Sequence, residues 1–299
     1  MDLENFKKII PNSEDFIEVK ELTYGWSGER KFWVKIKESN DILVRILSKE
    51  QYESQVDGIE FLKKCNEFCK FVPKIYKHGQ TLDGLSYYLI LDFIEGINGQ
   101  EAIINYTKDE QYNLGFSMGK IIKEIHNFSE PKLLPQENLK FRNKVEVFID
   151  YYKKHKQEYS FLGDIDNYVS DFLNKISTRP MIMLHNDFHL GNMIINGDKI
   201  FLIDFNRASI GDKVKEFDAL AWSVTKSESF AIGLLDAYLI DENKDEFFEF
   251  LKGYIYIWQI QMLYFIDSQD EEEKQVVISL IKQVSKWYNN SIIPTWYKN

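Results

Sequence analysis

A chain of 299 residues with 44% hydrophobic side chains holds enough apolar material for a buried core, and at ~100–200 residues per domain its length suggests two lobes. The formal net charge of −10 repels phosphodiester backbones, which argues against a nucleic acid polymer as partner and suits a cationic small molecule. The N-terminus has no basic region followed by an apolar run, and the most apolar stretch, residues 254–266, is interrupted by Gln259 and Gln261 and too short to span a bilayer. A cytoplasmic, membrane-free chain is the expectation, with Cys65 and Cys69 as buried apolar fillers, since no His or Cys partners stand at metal spacing.

Residues 17–48 alternate as antiparallel strands do, with Phe32, Val34 and Ile36 on one face and Trp33, Lys35 and Lys37 on a solvated one. Glu38-Ser39-Asn40-Asp41 is a turn, and residues 42–47 form the next strand. A helical pattern over 50–69 buries Ile59, Leu62, Phe68 and both cysteines, and strands follow over 74–78 and 85–93. This describes a small mixed lobe over 1–96. Helical patterns then dominate 97–299, notably 109–127, 144–155 and 165–177. Strand signals return only near 181–184, 193–195 and 200–203.

Those short strands bracket the segment MIMLHNDFHLGNMIINGDKIFLIDFN, residues 181–206. An apolar run delivers His185-Asn186-Asp187, Asn192 lies five residues beyond Asp187, and a second strand ends in Ile203-Asp204-Phe205. Phosphoryl transfer needs a carboxylate at the acceptor hydroxyl, and an amide and a second carboxylate on Mg2+ bridging the phosphates. HxDxxxxN or Asp-Phe alone is weak; in this order, between apolar strands, the combination is specific.

On these residues the chain resembles the aminoglycoside phosphotransferase and choline kinase-like group, relatives of the protein kinases. The resemblance implies an α+β, two-lobed protein kinase-like fold, with a nucleotide-binding lobe over 1–96, a hinge near 91–96, and a larger, mostly helical catalytic lobe over 97–299. It implies Asp187 as catalytic base, Asn192 and Asp204 as Mg2+ ligands, His185 as loop support, and ATP or GTP as donor. His189 fits a frequent family pattern too, and reads more simply as a hydrogen-bonded loop histidine.

Tyr24-Gly25-Trp26-Ser27-Gly28 falls where such kinases place a loop over the phosphates, Gly25 and Gly28 allowing close backbone approach and Ser27 adding a donor. The family's third-strand lysine is here Arg45, which alternates with Leu43 and Leu47 and should point inward, where a charge needs a partner; Glu60 is the expected one and Glu53 the alternative. The run 89–96 resembles the hinge, where an adenine would bond the Asp92 C=O and Ile94 N–H with Leu91 at the gatekeeper position.

Only seven residues, 206–212, separate the Asp204-Phe205 pair from Lys213, too few for the long segment with which protein kinases bind peptides, so a small acceptor is expected. Gly211-Asp212 resembles a family turn that braces the catalytic loop. Glu216 and Asp218 are structural or line the acceptor pocket, and Tyr254 and Trp258 on one helical stripe form a pocket wall or pack in the core. Twelve acidic residues against four lysines over 225–275 make a field that attracts a cationic or polyhydroxylated acceptor, although most read as solvated helix faces. The leading expectation is a monomeric aminoglycoside O-phosphotransferase conferring antibiotic resistance. The alternative is a choline, ethanolamine or other small-metabolite kinase, and a remote one is a nucleotide-binding pseudokinase.

Overall fold

The computed structural model describes residues 2–22, 28–267, 269–288 and 291–297. The chain forms two compact units, one of residues 1–97 and 194–208, the other of 98–193 and 209–299. Residues 194–208 cluster with the first unit, whereas the sequence pattern grouped them with everything after the hinge.

The first unit opens with a short helix α1 (Leu3–Ile9), capped by the Asp2 carboxylate accepting from the Asn5 N–H at 2.9 Å. Strands β1 (Phe16–Leu22), β2 (Arg30–Ile36) and β3 (Ile42–Leu47) follow, then helix α2 (Lys49–Cys65) and strands β4 (Ile75–Gln80) and β5 (Tyr87–Asp92). The sheet is antiparallel in the order β1-β2-β3-β5-β4. Strand alternation gives it two covered faces. On one, Phe6 of α1 packs on Phe16, Phe32, Val34, Val44 and Ile90. On the other lie Arg45, Leu89 and Leu91, which with Gln55, Ile59 and Leu62 of α2 line a pocket.

Helix α2 begins in a capping box, with the Ser48 hydroxyl and Gln51 amide exchanging bonds with each other's backbone N–H. It ends at Cys65, four residues short of the expected end. The Asn66 side chain instead bonds the Pro73 C=O and Ile75 N–H, so the chain turns toward β4. Cys65 and Cys69 are both buried, and burial pushes the Cys65 thiol up to about 12.

A two-residue strand β6 (Ile97–Asn98) marks the passage to the second unit, which continues through α3 (Gly99–Ala102), α4 (Lys108–Phe128), α5 (Pro135–His155), α6 (Ile165–Ile176) and β7 (Ile182–Leu184). Helix α5 starts at Pro135, nine residues before the sequence pattern suggested, because proline suits a first turn that needs no N–H donor. The chain then returns to the first unit as a hairpin of β8 (Met193–Asn196) and β9 (Lys199–Leu202) turning at Gly197 with φ 60. Back in the second unit, β10 (Ser209–Gly211) pairs antiparallel with β7. Helices α7 (Leu220–Val224), α8 (Glu228–Tyr238), α9 (Lys244–Ile266) and α10 (Glu271–Val284) complete it.

Glycines set two close approaches. In the second unit α4 and α8 meet through Gly115, Gly119 and Gly233; a Cβ at Gly233 would stand 2.1 Å from the Tyr112 carbonyl oxygen. In the first, a Cβ at Gly58 of α2 would stand 2.2 Å from the Phe205 carbonyl oxygen, in the turn that follows Asp204. Gly58→Ala is expected to cost about 1–3 kcal/mol through this overpacking, outweighing the better helix propensity of alanine. Urea denaturation of the two proteins measures it, and an unchanged or raised midpoint would show that the turn yields freely.

Candidate active site

In the second unit, β7 delivers His185, Asn186 and Asp187 into a loop whose backbone reverses at Asn186, where φ is 67. Asparagine tolerates this left-handed conformation better than most residues. The turn is fixed from three sides: the Asn186 side chain donates to Ser209 Oγ and accepts from Lys215 Nζ, and its N–H donates to Glu216 Oε1 at 2.7 Å. Glu216 Oε2 accepts from the His185 N–H at 2.7 Å and lies 3.1 Å from His126 Nε2.

Downstream, Asn192 returns its amide to Asp187, with Nδ2 donating to the backbone oxygen at 2.8 Å and to Oδ2 at 2.9 Å. With the Nδ2 edge turned to Asp187, the amide oxygen is the end of Asn192 not engaged with that residue. The Asp187 side chain is a quarter exposed and accessible to a small molecule. His189 Nδ1 accepts from the Gly191 N–H, and its Nε2 stands 3.6 Å from Asp187 Oδ1, so this histidine is a loop histidine that also flanks the carboxylate.

Glu216 and Asp218 are both buried. Glu216 is the brace of the 185–187 loop, the part that Gly211-Asp212 was expected to play. Desolvation pushes its carboxyl up, but the His126 ring and the backbone N–H donors together outweigh this and hold it below the usual glutamate range. Burial raises the Asp218 carboxyl despite its bond from Lys215 at 3.1 Å. Tyr254 and Trp258 are core residues as well. The Tyr254 hydroxyl donates to Asp212 at 3.1 Å, and the Trp258 ring packs edge-on against Trp222 at 6.2 Å. Asp212 itself caps Val214 and pairs with Arg179. The helical stripe that carries Tyr254 and Trp258 faces inward because α9 is apolar on most of its circumference.

Because the folded-state pKa of Glu216 is depressed, its contribution to stability is complete above the unfolded glutamate value of about 4.3 and fades as pH falls through the lower folded value. The Tm gap between the wild type and Glu216→Gln is therefore expected to narrow from pH 7 toward pH 3. A gap that stays constant would show that an ionised Glu216 is not what holds the loop.

In the first unit, Arg45 points inward with Leu43 and Leu47, yet not to Glu60. Its Nε donates to Glu29 Oε2 at 2.9 Å and Nη2 to Gln55 Oε1 at 3.1 Å, while Gln55 Nε2 donates to Glu29 Oε1. The Arg45 and Glu29 side chains are only 5% and 2% exposed. Glu60 has a 54% exposed side chain and pairs with Lys63; Glu53 pairs with Lys49 on the surface. Gln55 is inward and Glu60 outward because five residues turn a helix by roughly 140° beyond a full circle.

Asp204 shares the Arg45 pocket and adopts φ 66 and ψ 65 at the start of the turn 205–207. Its Oδ1 is buried and accepts no hydrogen bond among the described residues. Arg45 Nη1 stands 3.8 Å from Oδ1 and Lys31 Nζ 3.8 Å from Oδ2. A buried carboxylate oxygen without a donor, held in a strained backbone, suits a hard divalent cation, which takes one or two carboxylates together with phosphate oxygens. Among the described residues, no three His, Cys, Asp or Glu side chains converge into a cage that would hold a metal without such phosphates.

Leu91 lines the same pocket. Asp92 closes β5, its carboxylate accepting from the Lys74 N–H at 3.0 Å and the Tyr76 hydroxyl at 2.5 Å, and Ile94 is half-buried beyond it. Gly28 adopts φ 63 just before β2; Gly25 and Ser27 lie outside the described residues.

A five-stranded antiparallel sheet with helices α1 and α2, together with a mostly helical unit that carries the Asp187–Asn192 loop, makes up a protein kinase-like fold. The match of the APH phosphotransferase enzyme family to residues 18–249 establishes the particular kinship: the chain belongs to that family. A curated relative, the Protein LicA homolog of Mycoplasma capricolum subsp. capricolum, is 28% identical over 178 residues, covering 56% of this chain and 62% of that protein's length. The gentamicin complex of APH(2")-IIa aligns over 95% of this chain and 96% of that chain, with a TM-score of 0.65 and 19% identity. The ADP-bound aminoglycoside phosphotransferase APH(2'')-Ib aligns over 94% and 96%, with a TM-score of 0.61 and 18% identity. These solved structures share the fold. No helix among the described residues is long and apolar enough to cross a membrane.

Proposed function

We propose that this phosphotransferase uses Mg2+ with ATP or GTP and moves the γ-phosphate to a hydroxyl of a small acceptor, an aminoglycoside on the leading reading, which would confer antibiotic resistance. The observation that carries the proposal is the Asp187 carboxylate, partly exposed and oriented by the Asn192 amide. A hydroxyl hydrogen-bonded to Asp187 is oriented for attack; the O–P bond forms, the bond to the nucleoside diphosphate breaks, and the hydroxyl proton passes to the carboxylate. Asp204 and the amide oxygen of Asn192 would hold Mg2+, which when bound neutralises phosphate charge. Leu91, Asp92 and Ile94 would meet the adenine or guanine, and the protein would act as a monomer in a cytoplasm.

Gentamicin is bound by one of the proteins of like fold, and that supports the aminoglycoside reading. A second reading, a kinase of choline, ethanolamine or a similar amino alcohol, is favoured by the burial of Glu216 and Asp218, which leaves neither carboxylate to receive the ammonium groups of a polycation. A coupled nucleotide-hydrolysis screen over aminoglycosides and amino alcohols tests both. Turnover with one class selects it, and turnover with neither, by a protein that binds nucleotide, rejects the phosphotransfer assignment.

The metal assignment has its own expected result. In Asp204→Ala the nucleotide Kd becomes the same with and without Mg2+, whereas the wild type binds more tightly with the metal. Titration calorimetry in Mg2+ and in EDTA measures this, and a variant that keeps the metal dependence would remove Asp204 from the ligand set.

A further inference from the structure

We propose that the cation that grips the nucleotide phosphates is Lys31 of β2, and that Arg45 of β3, the residue at the lysine position of the resemblance, is a positioning residue. The inference rests on the nucleotide-dependent reading above and concerns one residue to which the sequence reading gave no role.

The two cations are cross-strand partners, Lys31 directly opposite Arg45 in the β2–β3 register, so both point to the pocket side of the sheet. Their commitments differ. Arg45 spends the Nε–Nη2 edge of its guanidinium on Glu29 and Gln55, and both ends of that ion pair are out of solvent. A guanidinium held this way cannot swing toward a ligand without stranding the Glu29 carboxylate. The Lys31 ammonium has an 18% exposed side chain, carries three rotatable donors, and makes no direct hydrogen bond among the described residues. Its nearest counterion is Asp204 at 3.8 Å.

Charge balance supplies the switch. Glu29, Asp204, Arg45 and Lys31 sum to zero in the absence of ligand. Were Asp204 engaged by a divalent cation, Lys31 would lose its counterion and its ammonium would be free to turn to a phosphate oxygen. Arg45 keeps Glu29 throughout, and its free Nη1 keeps Asp204 aligned. The compact ammonium on a flexible stem suits this move, and the forked guanidinium suits the fixed role.

Titration calorimetry with Mg-ATP and Mg-GTP on the wild type, Lys31→Ala and Lys31→Arg tests the assignment. Loss of one charged hydrogen-bonding partner is expected to raise Kd about 10- to 100-fold in Lys31→Ala, with partial recovery in Lys31→Arg. The Tm of the nucleotide-free Lys31→Ala protein stays close to that of the wild type, since the Lys31–Asp204 pair is partly solvated. Wild-type binding that survives Lys31→Ala overturns this assignment alone. A wild type that binds neither nucleotide overturns the proposed function and this assignment with it.

Discussion

Asp187→Asn is expected to lower kcat by about 10²–10⁴, the range usual for a positioned general base, while the nucleotide Kd stays near the wild-type value. The substitution isolates charge from shape. Asn192 Nδ2 donates to the Asp187 backbone oxygen and to Oδ2, and an asparagine oxygen at 187 accepts the second bond equally well. The loop is held upstream by Glu216, which contacts the backbone of 185 and 186 and not the side chain of 187. Its geometry should therefore persist, and what is lost is the ability to accept a proton. Steady-state kinetics with a verified acceptor, paired with calorimetry, checks both halves. Turnover within a few-fold of wild type would dismiss Asp187 as the base.

Arg45→Met carries the largest expected cost in stability, about 3–5 kcal/mol, because it leaves the Glu29 carboxylate buried without its ion-pair partner. Gln55 still donates to Glu29, but a neutral amide offsets only part of the desolvation of an ionised carboxylate. The double variant Arg45→Met with Glu29→Leu should recover most of the loss, since an apolar pair of similar volume often matches a buried ion pair. Urea denaturation of the singles and the double forms the cycle. Purely additive losses would mean that Arg45 and Glu29 do not depend on each other.

The sequence was most informative where chemistry and chain order coincide. Asp187, Asn192 and Asp204 stand at spacings fixed by one loop and one hairpin, and the inward direction of Arg45 follows from strand alternation alone. Partnerships across distance were not legible. Glu29 meets Arg45 from sixteen positions away, and the choice between Gln55 and Glu60 depends on which face of α2 turns to the sheet. Lys31 shares its strand face with Trp33 and Lys35, and nothing local reveals that Arg45 and Asp204 stand beside it. Glu216 was left open between a structural role and the acceptor pocket because its part depends on backbone N–H groups thirty positions away, which leave no trace in residue type. The glycines of α4 and α8 carry a signal only once both helices are known to be neighbours.

The placement of the thiols has a practical consequence. The chain has two cysteines, both in the first unit and both buried, with Cys65 pushed up to about 12 so that little thiolate exists near neutral pH. Alkylating reagents attack the thiolate, so labelling waits for this unit to open. Labelling kinetics thus reads the opening of the unit that holds Arg45 and Lys31 while remaining silent about the unit that holds Asp187. Mass spectrometry of the unmodified chain, with no probe introduced, is enough to follow nucleotide protection as a slowing of that reaction.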